Sequence, residues 1–158
     1  MLDEVFQMVY TKFKMHFYRQ VFQSFGNREA TLTTVETFCM EGIVALGEPT
    51  IAEFLQFMNI STPNAAYKVN NLVQKGYVEK VQSREDRREY HLVPTEKYMR
   101  YYNLSYSYLQ KVVERAKKRF SEEDLKKLEE MLSIVGNELM PEINCRCAIP
   151  GQTKEAEA

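Results

Sequence analysis

Tryptophan is absent from the 158 residues, histidine occurs twice and cysteine three times. The three cysteines (Cys39, Cys145, Cys147) are too few and too scattered for a secreted disulfide framework. The two histidines, His16 and His91, have no convincing catalytic or ligating partner in the sequence. With six glycines there is no glycine-rich phosphate loop, and neither a zinc-protease helix motif nor a nucleophile elbow is present. The chain is therefore read as a non-enzyme with no cofactor. Charge of one sign is also missing: the net charge is −1, so any nucleic-acid partner must be met by local rather than global basicity. No apolar run approaches the about 18 residues of a membrane span, and Met1-Leu2-Asp3-Glu4 lacks the basic start and apolar core of a signal peptide. A cytoplasmic location away from membranes is expected. What remains, 44% apolar and 27% charged residues, is ordinary for a folded domain.

The apolar period is helical over most of the chain. Phe6, Val9, Tyr10, Phe13, Phe17, Val21 and Phe25 recur at steps of three and four, which predicts a helix over 2–25 that Gly26-Asn27 ends. Its long stripe suits either an intramolecular core or a seam between two copies. Thr33-Thr34-Val35-Glu36 and Thr50-Ile51-Ala52-Glu53 each fit a capping box, in which a hydroxyl and a carboxylate satisfy free backbone donors at a helix start. They predict helices from Thr33 to Leu46 and from Thr50 to about Met58, the first closed by Gly47-Glu48-Pro49. After the tight link Asn59-Ile60-Ser61, a fourth helix is expected from Thr62 to Gln74, with Ala66, Val69, Leu72 and Val73 inward and Gly76 as its C-terminal cap.

Beyond Gly76 the period switches to that of strands. Tyr77–Val81 and Glu89–Val93 flank the polar turn Ser83-Arg84-Glu85-Asp86-Arg87-Arg88, which predicts a hairpin closed by Pro94. A long helix follows from Thr95 to about Arg119, with Tyr98, Tyr102, Leu109, Val112, Val113 and Ala116 as buried positions. Ser121-Glu122-Glu123-Asp124 caps a last helix to about Met140, with Leu125, Leu128, Leu132, Val135 and Leu139 at helical spacing. Residues 141–158 lose the pattern and read as a flexible tail.

The predicted class is mainly α (α+β): a winged helix-turn-helix over about 32–94, bracketed by long helices at about 2–25 and 95–140, the whole of 1–140 forming one domain. A helix about 10–12 Å across fits the major groove of DNA. Here the exposed face of the fourth helix would carry Asn64, Tyr67, Lys68 and Asn71, with Ser61 or Thr62 at its cap. Asn pairs bidentately with adenine, and Lys68 and Thr62 suit phosphate. A solvated helix face explains the same residues. The hairpin tip is more specific. Arg84, Arg87 and Arg88 crowd five positions, and guanidinium groups fit a narrow, electronegative minor groove. Asp86 is placed to hold Arg88 by a charge-assisted bond. Over 60–92, six basic residues (Lys68, Lys75, Lys80, Arg84, Arg87, Arg88) face four acidic ones (Glu79, Glu85, Asp86, Glu89), an excess concentrated at the tip.

Leu32-Thr33, Thr50-Ile51-Ala52-Glu53-Phe54-Leu55 with Ile60-Ser61, Val69-Asn70-Asn71-Leu72-Val73-Gln74-Lys75-Gly76-Tyr77-Val78, and Ser83-Arg84-Glu85-Asp86-Arg87-Arg88 before Leu92 and Thr95 resemble the multiple-antibiotic-resistance regulator (MarR) family. The resemblance runs from about residue 5 to 140. It implies a transcription regulator, more often a repressor, that binds double-stranded DNA as a homodimer. The first and last two helices would make the dimer, the fourth would enter the major groove, and Asp86 and Arg88 would act at the minor groove. Pro94 and Tyr98 depart from the family pattern, as do the residues of the fourth helix, so no operator sequence transfers. A winged-helix module that binds protein instead of DNA is the other reading.

Regulators of this family commonly respond to a small molecule, a metal or an oxidant. Phe13, Phe17, Tyr18, Phe38 and Tyr102 are candidates to line an aromatic effector pocket, although ordinary core packing explains them too. Cys145-Arg146-Cys147 supplies two thiolates, short of the four ligands of a closed zinc site, and free tail cysteines are the simpler account. Cys39, inside a helix, reads as a small buried hydrophobe.

Overall fold

The computed structural model describes residues 1–25 and 32–143, without the side chains of residues 24, 25, 62 and 101–105. The chain runs α1 (Leu2–Phe25), α2 (Thr34–Leu46), α3 (Ile51–Met58), α4 (Thr62–Gln74), β1 (Val78–Gln82), β2 (Tyr90–Pro94), α5 (Glu96–Arg119) and α6 (Glu122–Glu138). It is mainly helical with one two-stranded antiparallel sheet. The molecule divides into two compact units. One comprises α1, α5 from Tyr101 onward, and α6. The other comprises α2, α3, α4, β1, β2 and the start of α5.

Both capping boxes form as the sequence predicts. Thr33 Oγ1 accepts from the Glu36 amide at 3.2 Å, while Glu36 Oε2 accepts from the Thr33 amide at 2.7 Å. Thr50 and Glu53 repeat the arrangement at 3.2 and 2.8 Å. Each satisfies two backbone donors that a helix start leaves without partners. Gly47 and Asn59 end α2 and α3 in the left-handed region, with φ of 68° and 49°. Gly and Asn tolerate that conformation best.

The core of the second unit gathers Met40 and Ile43 from α2, Phe54 from α3, Ala65, Val69 and Leu72 from α4, Val78 and Leu92 from the hairpin, and Tyr98 from α5, all buried. On α4 the inward residue is Ala65; Ala66, expected inward, is exposed. Ala65, Val69 and Leu72 follow steps of four and three, and Ala66 lies about 100° further round the helix. The strands pair from Val78↔Pro94 to Gln82↔Tyr90. Pro94 thus sits in the ladder's last position, not just beyond it.

The first unit behaves differently. Among the described residues of α1, Val21 is buried and Phe13 and Phe17 are half-buried, but Phe6, Val9 and Tyr10 are exposed. Leu109 and Val113 of α5 are exposed although their spacing predicts burial, while Val112 and Ala116 are half-covered. In α6 no residue is buried, and Leu128, Leu132 and Leu139 stand open. The apolar period is present as predicted, yet the described residues leave much of it uncovered.

Candidate nucleic-acid interface

The interface residues sit on α4 and on the hairpin that follows it, so the joints of these elements decide what they present. Ser61 is the N-cap of α4 in extended conformation, but its side chain makes no capping bond; Pro63 lies in the first turn. Of the two residues expected at the cap, Ser61 therefore fills the position by backbone alone. The side chain of Thr62 lies outside the described residues.

The end of α4 is sharply defined. Gly76 has φ of +74°, its amide donates to the Val73 carbonyl at 2.9 Å, and the Tyr77 amide donates to the Leu72 carbonyl at 3.0 Å. This pair of bonds is a Schellman motif, which turns the chain out of the helix directly into β1. Two further contacts hold the joint: Thr95 Oγ1 donates to the Gly76 carbonyl at 2.7 Å and Lys97 Nζ to the Lys75 carbonyl at 2.8 Å. Lys75 in turn reaches the start of α2, its Nζ lying 2.6 and 2.8 Å from the two carboxylate oxygens of Glu36. Burial alone would raise the pKa of Glu36, but the bonds from Lys75 and Thr33 outweigh it and hold the carboxyl below its ordinary value. One buried carboxylate thus caps α2 and anchors the end of α4.

On the same helix, Glu41 shows the opposite balance. Burial pushes its pKa up, and the single hydroxyl of Tyr98, donating at 2.7 Å, offsets only part of that. Tyr98 itself is fully buried and meets Tyr77 edge to face, with centroids 6.4 Å apart. The tyrosine that departs from the family pattern therefore fills the space at the foot of the hairpin.

Asn64 and Tyr67 are exposed on α4, Tyr67 by 68%, whereas Lys68 and Asn71 are half-buried. The predicted face is thus led by Asn64 and Tyr67. Asn70, not singled out by the sequence, accepts a bond from Lys80 Nζ at 2.8 Å and ties α4 to β1.

The hairpin tip is ordered by its own side chains. Ser83, buried, accepts from the Glu85 and Asp86 amides at 3.2 and 3.4 Å, and the Ser83 amide donates to the Glu89 carbonyl at 2.9 Å. Gln82 Nε2 donates to the Arg87 carbonyl at 2.6 Å. Asp86 grips Arg88 three times: Oδ1 accepts from the Arg88 amide at 2.9 Å and from Nε at 3.1 Å, and Oδ2 accepts from a terminal nitrogen at 2.9 Å. That pairing lowers the pKa of Asp86 and raises that of Arg88. Arg84 and Arg87 are exposed and form no ion pair among the described residues. The tip thereby offers one braced guanidinium and two unbraced ones.

The returning strand gains support that the sequence did not reveal. The Leu92 amide donates to the Pro49 carbonyl at 2.8 Å, Thr50 bridges to His91, and His91 Nδ1 lies 3.0 Å from the Glu48 carbonyl. The link between α2 and α3 acts as a third, very short strand. Two residues are too few to show a period-two pattern, so only Pro49 stood out, as a helix stop.

The remaining candidates divide. On α1, Phe13 meets Tyr108 of α5 edge-on at 5.8 Å, His16 stacks flat on the same ring at 3.8 Å, and Phe17 lies 6.1 Å from Tyr18. His16 and Tyr108 belong to this aromatic group although the sequence gave no reason to choose them over their neighbours. Phe38 is exposed on α2. The side chain of Tyr102, and Cys145 and Cys147 with the rest of the tail from 144 on, lie outside the described residues. Cys39 is fully buried, and burial raises its thiol pKa, which makes it a core residue rather than a reactive one.

A two-helix turn whose second helix runs into an antiparallel ribbon defines a winged helix-turn-helix. Residues 32–89 match the model of the MarR family. The fold of the chain is also that of several solved structures. A mutant MepR from a multidrug-resistant S. aureus clinical isolate aligns with a TM-score of 0.63 at 14% identity, covering 88% of this chain and 97% of that one. A MarR family protein from Bacillus stearothermophilus gives 0.62 at 15%, covering 87% and 92%. Streptococcus pneumoniae FabT, solved in complex with DNA, gives 0.60 at 23%, covering 90% and 97%. No curated protein matches the chain in sequence.

Proposed function

We propose that the chain is a transcription regulator that binds double-stranded DNA sequence-specifically as a homodimer, acting as a repressor in the cytoplasm. The observation that carries this reading is the wing: Asp86 braces Arg88 through both Nε and a terminal nitrogen of its guanidinium while Arg84 and Arg87 stand exposed. An exposed ion pair contributes little to stability, so a three-bond clamp at a solvent-facing tip is better explained by what it presents than by what it stabilises. A rigid arginine loses less freedom on entering a groove. The FabT relative, of like fold, was solved on DNA, which supports the same partner here.

The homodimer is supported by the uncovered apolar faces of α1 and α6. Large open patches of this kind mark association surfaces. A two-fold dimer would set two copies of α4 about one DNA turn apart, ~34–36 Å, and so select a pseudo-palindromic site. A small apolar or phenolic effector acting near the aromatic group of Phe13, Phe17 and Tyr108 would shift the dimer between DNA-competent and incompetent spacings. No described helix is long and apolar enough to cross a membrane.

The test replaces both wing arginines, Arg87→Ala with Arg88→Ala, and measures duplex binding across salt concentrations. The double variant should bind duplex much more weakly. Its log–log salt slope should fall by about 0.9 for each phosphate it no longer neutralises. Binding that matches the parent in affinity and slope refutes the part given to the wing, and a parent that binds no duplex even at low salt refutes the DNA reading and leaves the protein-interaction module in its place.

A further inference from the structure

We infer that α4 reads A·T base pairs through Asn64, Ala66 and Tyr67 at the N-terminal end of the helix. The inference rests on the DNA-binding reading above and narrows it to a class of sequence.

What α4 can read depends on the chemistry it exposes. The four base pairs differ in the groups they show in the major groove. Guanine offers two acceptors and is read by a cation; cytosine offers an amino donor and is read by a carboxylate. Adenine offers one donor and one acceptor and is read by an amide, and thymine offers a methyl group that takes an apolar contact. The sequence of α4, from Thr62 to Gln74, contains no arginine, aspartate or glutamate. Its one cation, Lys68, is half-buried. Among the described side chains of the helix, those that do stand out are Pro63, Asn64, Ala66, Tyr67, Asn70 and Gln74. Asn70 is bonded to Lys80 on β1. Gln74 lies at the far end of the helix, so the N-terminal end presents Pro63, an amide, Asn64, and two apolar contacts, the Ala66 methyl and the Tyr67 ring. This is the adenine-and-thymine set, and the exposed side chains of the helix among those described include no cation and no carboxylate.

The wing supplies a second, independent indication. Arg84 and Arg87 are exposed at its tip beside the braced Arg88. Arginine enters the minor groove best where it is narrow and most negative, and A·T tracts have that shape. The helix face and the ribbon thus favour the same composition through different grooves.

The experiment selects bound duplexes from a random pool with the full chain, then replaces single A·T pairs of the selected half-site by inosine·cytosine. Inosine·cytosine keeps the minor-groove face of A·T but shows the major-groove face of G·C. The expected result is enrichment of half-sites whose helix-contacted positions are A·T, and a loss of about 5- to 150-fold in affinity on inosine·cytosine replacement at the Asn64-read position. Asn64→Ala should make that replacement nearly neutral. Tyr67→Ala should do the same for replacement of a thymine by uracil, which lacks the methyl group. Both residues are exposed, so neither variant threatens the fold, and the modified duplexes test the parent protein in any case. Fixed G·C pairs at the positions whose recognition Asn64→Ala or Tyr67→Ala alters, or full tolerance of inosine·cytosine by the parent, overturn the inference while leaving a DNA-binding regulator. Failure to enrich any duplex at low salt overturns the regulator reading and this inference together.

Discussion

The winged-helix unit and the long-helix unit are built from similar apolar material and dispose of it in opposite ways. In the first, Phe54, Met40, Ile43, Leu72, Leu92 and Tyr98 are sealed from water. In the second, Val21 is the one buried apolar side chain among the described residues, and α6 buries none. Leu2, Phe22, Met131 and Leu139 are each at least 63% exposed. A periodic apolar stripe therefore does not say whether its cover comes from the same chain. The winged helix closes its own core because short elements enclose it from several directions. Long helices offer longer stripes than they can cover for one another, and in the proposed homodimer a second copy would complete them.

Substitutions in the two units put this contrast at risk, the most disruptive first. Phe54→Ala empties the centre of the closed unit and should cost about 3–5 kcal/mol, measured by chemical denaturation. A loss below about 1 kcal/mol would show that the unit is not packed as described. In the open unit, Leu128→Glu with Leu132→Glu places two carboxylates on one face of α6. An uncompensated charge in an apolar seam is costly enough to raise the dimer dissociation constant at least about 100-fold. Sedimentation equilibrium reads this directly, with helical content unchanged by circular dichroism. A dimer as tight as the parent's would mean that α6 is covered by something other than a partner.

The closed unit also holds two glutamates of α2 with opposite behaviour. Glu36 is lowered from its ordinary value of 4.5. It contributes stability that is present above that value and is lost as pH falls through its folded pKa. Glu41 is raised from the same value. It disfavours the fold increasingly as pH climbs through the window from 4.5 up to its folded pKa. Glu36→Gln, which strips Lys75 of its charged partner, should destabilise at neutral pH by about 1–3 kcal/mol. Glu41→Gln, whose amide carbonyl can still accept from Tyr98, should leave neutral-pH stability equal or higher and flatten its decline across that window. Denaturation midpoints from about pH 4 to about pH 8 separate the two; parallel curves for the variants would contradict the opposite shifts.

Much of this was legible in the sequence, and the reasons are local. Capping boxes at Thr33 and Thr50, the helix bounds of α4, the Asp86–Arg88 pair and the stop at Gly76 all depend on residues close together in the chain. Where the outcome depended on distant chain, the sequence was mute or misleading. Ala65 and Ala66 have the same chemistry, and only tertiary packing chose the first. The Glu48 carbonyl meets His91 across 43 residues, and Glu36 meets Lys75 across 39. Leu109 and Leu132 satisfied every rule for burial and are exposed, because the rule counts spacing and not the presence of a cover. For the site, Asn64 and Tyr67 emerged as outer residues of α4, but the half-burial of Lys68 depended on tertiary packing.

The mildest substitution falls at the joint between α4 and the hairpin. Gly76 has φ of +74°, and a Cβ placed there would meet nothing within 4 Å. Space is therefore not the constraint; the backbone conformation is. Gly76→Ala should cost about 1 kcal/mol from left-handed strain alone, and Gly76→Asn, which tolerates that region better, should cost less. If the strain is instead relieved by rotating the backbone, the carbonyl bonded by Thr95 moves and the wing re-aims. The Ala variant would then keep its stability and lose duplex affinity. Measuring unfolding and duplex binding on the same two variants distinguishes a joint that holds its angle under strain from one that yields, and so fixes whether the closed unit presents its arginines rigidly.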